Sequence, residues 1–132
     1  FLSDANLVDA YLEVVGVSAV IGHCYPIWLK FSGGKGVATG LAVITMLSPS
    51  SGILFIATWI TVVYLMRYSS LAALSAFVAS SISALVLEKN DVSIAIIFIA
   101  LLAFFRHKEN IKRLLSGEES KISSSPSPKS ES

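Results

Sequence analysis

Five apolar runs, separated by short polar punctuation, organise this chain. They are Val8–Ile21, Gly36–Leu47, Ser50–Met66, Ser69–Leu87 and Val92–Phe105. The breaks fall at Pro26, at Ser48-Pro49-Ser50, at Arg67-Tyr68-Ser69-Ser70 and at Glu88-Lys89-Asn90-Asp91. A membrane-crossing helix takes about 20 apolar residues at a rise of about 1.5 Å each. The third, fourth and fifth runs are predicted as spans, and the fourth comes closest to full length. Gly36–Leu47 reaches only about 18 Å at that rise, so a short or half-spanning helix is expected there. Ala72, Ala76, Ser80 and Ala84 recur at four-residue spacing in the fourth run, as Gly36 and Gly40 do in the second. Such stripes let helix backbones approach closely in lipid. The predicted fold class is therefore all-α: a polytopic helical membrane protein with about five membrane segments in this chain.

Composition agrees with the pattern. Of 132 residues, 54% are hydrophobic and 14% charged, where soluble domains carry about 25% charged residues. From Gly36 to Leu87 the only charge is Arg67. A soluble domain this small would have almost nothing polar to set against water over that stretch. If each run crosses, Lys30, Lys35, Arg67, Arg106, Lys108, Lys112, Arg113, Lys121 and Lys129 share one side, nine basic residues in all, and Lys89 alone lies on the other. The other side also carries Asp4, Asp9, Glu88 and Asp91. The basic side is predicted to be cytoplasmic. The net charge of +1 gives no global basic signal, and no nucleic acid partner is expected. Residues 1–115 read as one membrane-embedded domain. Residues 116–132 hold eight serines, two prolines and five charges, and are predicted to be a disordered cytoplasmic tail.

Three polar clusters fall on the basic side. The first contains His23 and the glycine loop Gly33-Gly34-Lys35-Gly36, which leads into an apolar run. Glycines allow a tight turn and close approach to a ligand, and free N–H groups at a helix start favour an anion such as phosphate. Lys35 adds a mobile cation. A Walker A loop is excluded, since Leu29 stands where its first glycine belongs and Gly36 where its Ser or Thr belongs. The second cluster is the Arg67 turn. The third is Arg106-His107-Lys108-Glu109-Asn110-Ile111-Lys112-Arg113. As one continuous helix it would place Arg106, His107, Asn110 and Arg113 within an arc of about 120°. Cations, an imidazole and an amide together suit phosphate binding and handling of a hydroxyl proton. Lys30, Lys108 and Lys112 read as lipid-facing anchors, Tyr25 and Trp28 as an interfacial aromatic belt, and Glu13 as near the interface. Cys24 is the only cysteine, so no internal disulfide can form. His and Cys spacing does not suit a metal site.

Gly22-His23-x-x-Pro26 followed by Phe31-x-Gly33-Gly34-Lys35-Gly36-Val37-Ala38-Thr39 resembles the second motif of the bacterial acyl-phosphate:glycerol-3-phosphate acyltransferases, the PlsY family. His107-x-x-Asn110-Ile111-x-Arg113-Leu114-x-x-Gly117-x-Glu119 is similar to that family's third motif, and Arg67-Tyr68-x-Ser70-Leu71 also looks like a family run. The resemblance implies a helical fold of about seven spans in the bacterial inner (plasma) membrane, with a site facing the cytoplasm. It implies transfer of an acyl group from acyl phosphate to the 1-hydroxyl of glycerol 3-phosphate, giving lysophosphatidate for phospholipid synthesis, with no cofactor. It assigns Gly33, Gly34, Lys35, Gly36 and Thr39 to glycerol 3-phosphate binding. His107 and Asn110 become catalytic, while His23, Arg67 and Arg113 become substrate-binding and Glu119 structural. The implied partners are glycerol 3-phosphate, acyl phosphate and membrane lipid. The family's first motif, a Ser-Gly-Asn-x-Gly-Ala-Thr-Asn-like run, has no match here. The chain is therefore expected to be the C-terminal part of a longer protein and inactive alone. The alternative reading is a transporter or channel for an organic phosphate, with the glycine loop as its binding element.

The orientation is testable with single cysteines in a Cys24→Ser background and an impermeant thiol reagent on intact cells. Ser124→Cys should stay unlabelled and Asn90→Cys should label. Outside labelling at 124 contradicts the orientation.

Overall fold

The computed structural model describes residues 4–24 and 35–122, with side chains from residue 7 onward. The Gly33–Gly34 pair, Tyr25, Trp28, Lys30 and the tail beyond Ile122 lie outside the described residues. Every described element is helical: α1 (Asp4–Cys24), α2 (Val37–Leu47), α3 (Pro49–Met66), α4 (Ser69–Leu87), α5 (Asn90–Arg106) and α6 (Lys108–Ser116). Each of the five predicted runs is one helix, and the basic segment after it adds α6. In hydrocarbon a helix satisfies its own backbone, which is why apolar runs of this length take no other form. Leu7–Cys24 in α1, together with α3 and α4, is long and apolar enough to cross a membrane. α5 passes that test only together with α6, across a 62° bend. α2 is shorter, as its length predicted.

α4 is the central element and packs against α3, α5 and α6. Its small-residue stripe explains this. Ala72, Ala76, Ser80 and Ala84 are all fully buried. Phe77 fills the space beside them and meets Phe55 of α3 edge-to-face, with ring centroids 4.9 Å apart. Ile44, Ile96 and Ile99 complete the core between α2 and α5. Large side chains such as Ile53, Tyr64, Leu65, Ile82, Leu85 and Leu101 point outward. This inside-small, outside-large arrangement suits a lipid surround.

Two turns are stapled at one end of the bundle. Pro49 opens α3, and Ser48 caps it by accepting from the Ser51 N–H at 3.4 Å. Ser48 Oγ also donates to Glu88 Oε1 at 2.7 Å, joining the α2–α3 turn to the end of α4. Ser48 Oγ stands 2.9 Å from Ser51 Oγ, which lies 3.2 Å from Ser83 Oγ. The opposite end gathers the C-terminus of α1, the N-terminus of α2, the α3–α4 turn and the α5–α6 break. Ser116 closes α6, and the Ile122 N–H donates to the Arg67 carbonyl at 2.6 Å.

The α2–α3 hairpin leaves no room at Gly52. A Cβ there would overlap Thr45 Oγ1 and stand 2.8 Å from Thr45 Cα, which is backbone. Gly52→Ala should cost about 1–3 kcal/mol and lower the Tm of the detergent-solubilised chain. Gly22→Ala meets nothing within 4 Å and should be neutral or mildly stabilising. Equal losses in both would show that the hairpin contact is not what matters.

Candidate functional site at one end of the bundle

The site grows from a helix end that turns back on itself. α6 stops because Gly117 takes a left-handed conformation (φ 76). The Glu118 N–H then donates to the Arg113 carbonyl at 2.8 Å, closing the turn in Schellman fashion. Reversal brings Glu119 back over the helix it has just left. Arg113 Nε donates to Glu119 Oε1 at 3.0 Å, and the Asn110 amide donates to Oε2 at 2.9 Å. Ser70, buried in the first turn of α4, donates to the same Oε2 at 2.8 Å. Burial alone would push this carboxyl up. The Asn110, Ser70 and Arg113 donors, with the Arg113 charge, outweigh it and hold Glu119 down at about 2.

The N-terminus of α2 meets this cluster. Gly36 precedes it at φ 82, a backbone conformation that glycine adopts without strain. It packs tightly on α1: a Cβ there would lie 3.1 Å from Cys24 Sγ. The first helical bond is Gly40 N–H to Gly36 carbonyl, so the N–H groups of Val37, Ala38 and Thr39 have no partner within α2. Lys35, exposed just before, donates from Nζ to Asn110 Oδ1. Asn110 thus bridges a cation and a carboxylate, with its amide oriented by both.

His107 sits in the break between α5 and α6 and is 3% exposed. Its Nδ1 lies 2.7 Å from the Ala103 carbonyl, so that nitrogen carries a proton. Burial lowers its pKa below the usual value. The Ala103 bond and Glu119 oppose this, and the Lys35 charge adds to it. The ring is therefore a neutral imidazole at neutral pH, with Nε2 left as an acceptor.

The residues predicted from sequence fall in different places. Lys35, Asn110, Arg113 and Glu119 are brought together, with His107 and Gly36 beside them, while Thr39 lies in the first turn of α2. His23 is exposed on the last turn of α1. Arg67, in the α3–α4 turn at the same end, takes a different partner: its Nε donates to the Ile122 carbonyl at 3.0 Å. The single continuous helix expected from Arg106 to Arg113 is broken at His107, so Arg106 ends α5, His107 lies at the bend and Asn110 lies on α6, at an angle of 62° to α5. Ser70 was not among the predicted site residues, though the Arg-Tyr-x-Ser-Leu run contained it. Lys108 stacks on Phe105 at 5.0 Å and Lys112 pairs with Glu109 at 3.9 Å, both away from the cluster. Beside the cluster an apolar groove of about 570 Å³ runs down α4, lined by Leu71, Leu74, Val78, Phe104, Ile111 and Leu114 among others.

The family model described as glycerol-3-phosphate acyltransferase matches residues 1–117. The chain is 42% identical over 114 residues to a glycerol-3-phosphate acyltransferase of Wolbachia pipientis subsp. Culex pipiens, covering 86% of this chain and 59% of the relative. It is 44% identical over 123 residues to one from Caulobacter vibrioides, covering 92% and 56%. Among solved structures it resembles PlsY, an integral membrane glycerol 3-phosphate acyltransferase, in its glycerol 3-phosphate form. That match has a TM-score of 0.81 and 37% identity, over 84% of this chain and 56% of that one. The lysophosphatidic acid form matches equally well, with a TM-score of 0.81. The chain thus spans a little under three fifths of the length of these relatives.

The ionised state of Glu119 gives this end of the bundle a pH signature. Folded Glu119 takes up its proton at about 2, against 4.5 for an ordinary glutamate. Its contribution to stability is complete above pH 4.5 and is lost as pH falls toward 2. Glu119→Gln should therefore lower the Tm at pH 7, and the gap to the native chain should narrow as pH falls below 4.5. A gap independent of pH contradicts the ionised cluster.

Proposed function

Because this chain belongs to the glycerol-3-phosphate acyltransferase family, whose model covers residues 1–117, we propose that it carries the acceptor-binding and catalytic end of an acyl transferase. The proposed reaction moves an acyl group from acyl phosphate to the 1-hydroxyl of glycerol 3-phosphate. The acceptor oxygen bonds to the acyl carbon, the acyl–phosphate C–O bond breaks, and phosphate leaves. The hydroxyl proton passes to His107 Nε2 and then to solvent.

The supporting observation is the meeting of Lys35 and the α2 N-terminus with Asn110 and His107 at one end of the bundle. Glycerol 3-phosphate is an anion with a reactive hydroxyl a few ångströms from its charge. A helix N-terminus and a lysine suit the phosphate. A neutral imidazole and a fixed amide suit the hydroxyl. On the sequence motif alone, the Gly33–Gly34 pair and Thr39 are assigned to the phosphate as well, and Arg113 with His23 to the leaving phosphate or the developing oxyanion. Acyl phosphate is already activated, so positioning and charge stabilisation carry the catalysis. The acyl chain would lie in the groove along α4, whose lining residues Leu71, Ile111 and Leu114 directly follow Ser70, Asn110 and Arg113 in sequence. The membrane is read as the bacterial inner membrane and this end as cytoplasmic, where a soluble acceptor is available.

Membranes carrying the chain together with the N-terminal region of the Caulobacter relative should form lysophosphatidate from acyl phosphate and glycerol 3-phosphate. Uptake of glycerol 3-phosphate into sealed vesicles without acyl transfer would favour transport instead. In the same membranes His107→Ala and Asn110→Ala should lower turnover about 10²–10⁴-fold, and Lys108→Ala and Lys112→Ala only slightly. Lys35→Ala should raise the KM for glycerol 3-phosphate more than that for acyl phosphate. Equal losses at 107, 108, 110 and 112 would reduce the cluster to a basic anchor.

A further inference from the structure

Arg67, predicted to bind substrate, has its described side-chain partner at Ile122 in the tail. It ends α3 in a left-handed conformation (φ 62), the only non-glycine residue to do so among those described. That conformation is costly for a residue with a Cβ and persists where surroundings impose it. What surrounds it is residue 122. The Ile122 N–H donates to the Arg67 carbonyl at 2.6 Å, and Arg67 Nε donates to the Ile122 carbonyl at 3.0 Å. One residue thus grips both backbone groups of another, as in a single rung of a ladder. Lys121 adds a cation over the Tyr68 ring at 5.5 Å.

The consequence lies three residues upstream. Between the Gly117 turn and the Ile122 grip the chain is a strap anchored at both ends, and Glu119 is its midpoint. Its carboxylate fixes Asn110 and Arg113 from α6 and Ser70 from α4. Removing the grip frees one end of the strap and adds rotational freedom to Glu119. Asn110 and Arg113 then lose their common acceptor in proportion.

We propose that Arg67 is a positioning residue that acts through the 117–122 strap to hold Glu119, and is not a ligand of substrate. Only the kinetic arm of the test rests on the acyl-transfer reading. The structural arm is limited trypsin digestion of the whole chain in membranes, with fragments read by mass spectrometry. A held backbone resists cleavage until it opens locally. Arg67→Gly removes the Nε donor and relieves the left-handed strain, so it should fold. It should speed cleavage after Lys121 about tenfold, the effect of losing one charge-assisted hydrogen bond, and leave cleavage after Lys112 unchanged. Arg67→Lys keeps the charge without the Nε donor and should behave like Arg67→Gly. Unchanged cleavage after Lys121, or equal acceleration at Lys112, overturns the clamp, as does native behaviour of Arg67→Lys.

The kinetic arm uses the complemented membranes. Arg67→Gly should lower kcat with the KM for glycerol 3-phosphate unchanged. Arg67→Gly combined with Glu119→Gln should be no slower than Glu119→Gln alone, because residues that act through one another do not add. A rise confined to KM, or fully additive losses, would make Arg67 a substrate ligand. Absence of acyl transfer in every sample would count against the functional reading, while the digestion would still decide the clamp.

Discussion

The Glu119 carboxylate accepts from Ser70, Asn110 and Arg113, and the organisation of one end of the bundle depends on that meeting. A carboxylate so supplied with donors stays ionised, and an ionised carboxylate in turn fixes its donors. Asn110 then has one amide orientation, with Nδ2 toward Glu119 and Oδ1 toward Lys35. Through Asn110 the negative charge of the tail is coupled to the cation at the start of α2. Four separate parts of the sequence are tied at one point: the α2 N-terminus, the first turn of α4, α6 and the strap.

This tie works because the rest of the bundle is held in register. α4 can carry Ser70 to the cluster only if its axis is fixed, and its buried small-residue stripe lets α3 and α5 pack closely around it. The other end is fixed by Ser48 and Glu88, which bind the α2–α3 turn to the end of α4. Lipid gives helices little hydrophobic reason to associate, so close packing and polar links of this kind decide their arrangement. The proposed chemistry follows from the placement. A soluble anion can reach the exposed Lys35 end, while an acyl chain can lie in the apolar groove down α4.

Much of the fold was legible in the sequence because hydropathy, length and small-residue spacing act locally. The stripe from Ala72 to Ala84 reads directly as a packing face, and the short second run reads as a helix that falls short of a span. The site was legible in part. Lys35, Asn110, Arg113 and Glu119 stand out as polar groups beside apolar runs. Their pairing does not, because Lys35 and Asn110 are 75 residues apart and hydropathy carries no information on partners. The break at His107 is not legible because neither proline nor glycine marks it. The strap is not legible because a serine-rich, charged tail reads as disorder, and the Ile122 groups that Arg67 holds are backbone groups that every residue has.

On the proposed reading, Glu119 organises donors for an anion although it is itself an anion. The most direct measurement is the Kd for glycerol 3-phosphate, followed by ³¹P NMR on the chain in nanodiscs, for the native sequence and for Glu119→Gln. Simple electrostatics says that deleting a negative charge tightens anion binding. The organising role says the opposite: Asn110 and Lys35 lose their common frame, and binding weakens by about tenfold or more, a cost of about 1.4 kcal/mol. Weaker binding in Glu119→Gln is the predicted result. Tighter or unchanged binding would contradict the account.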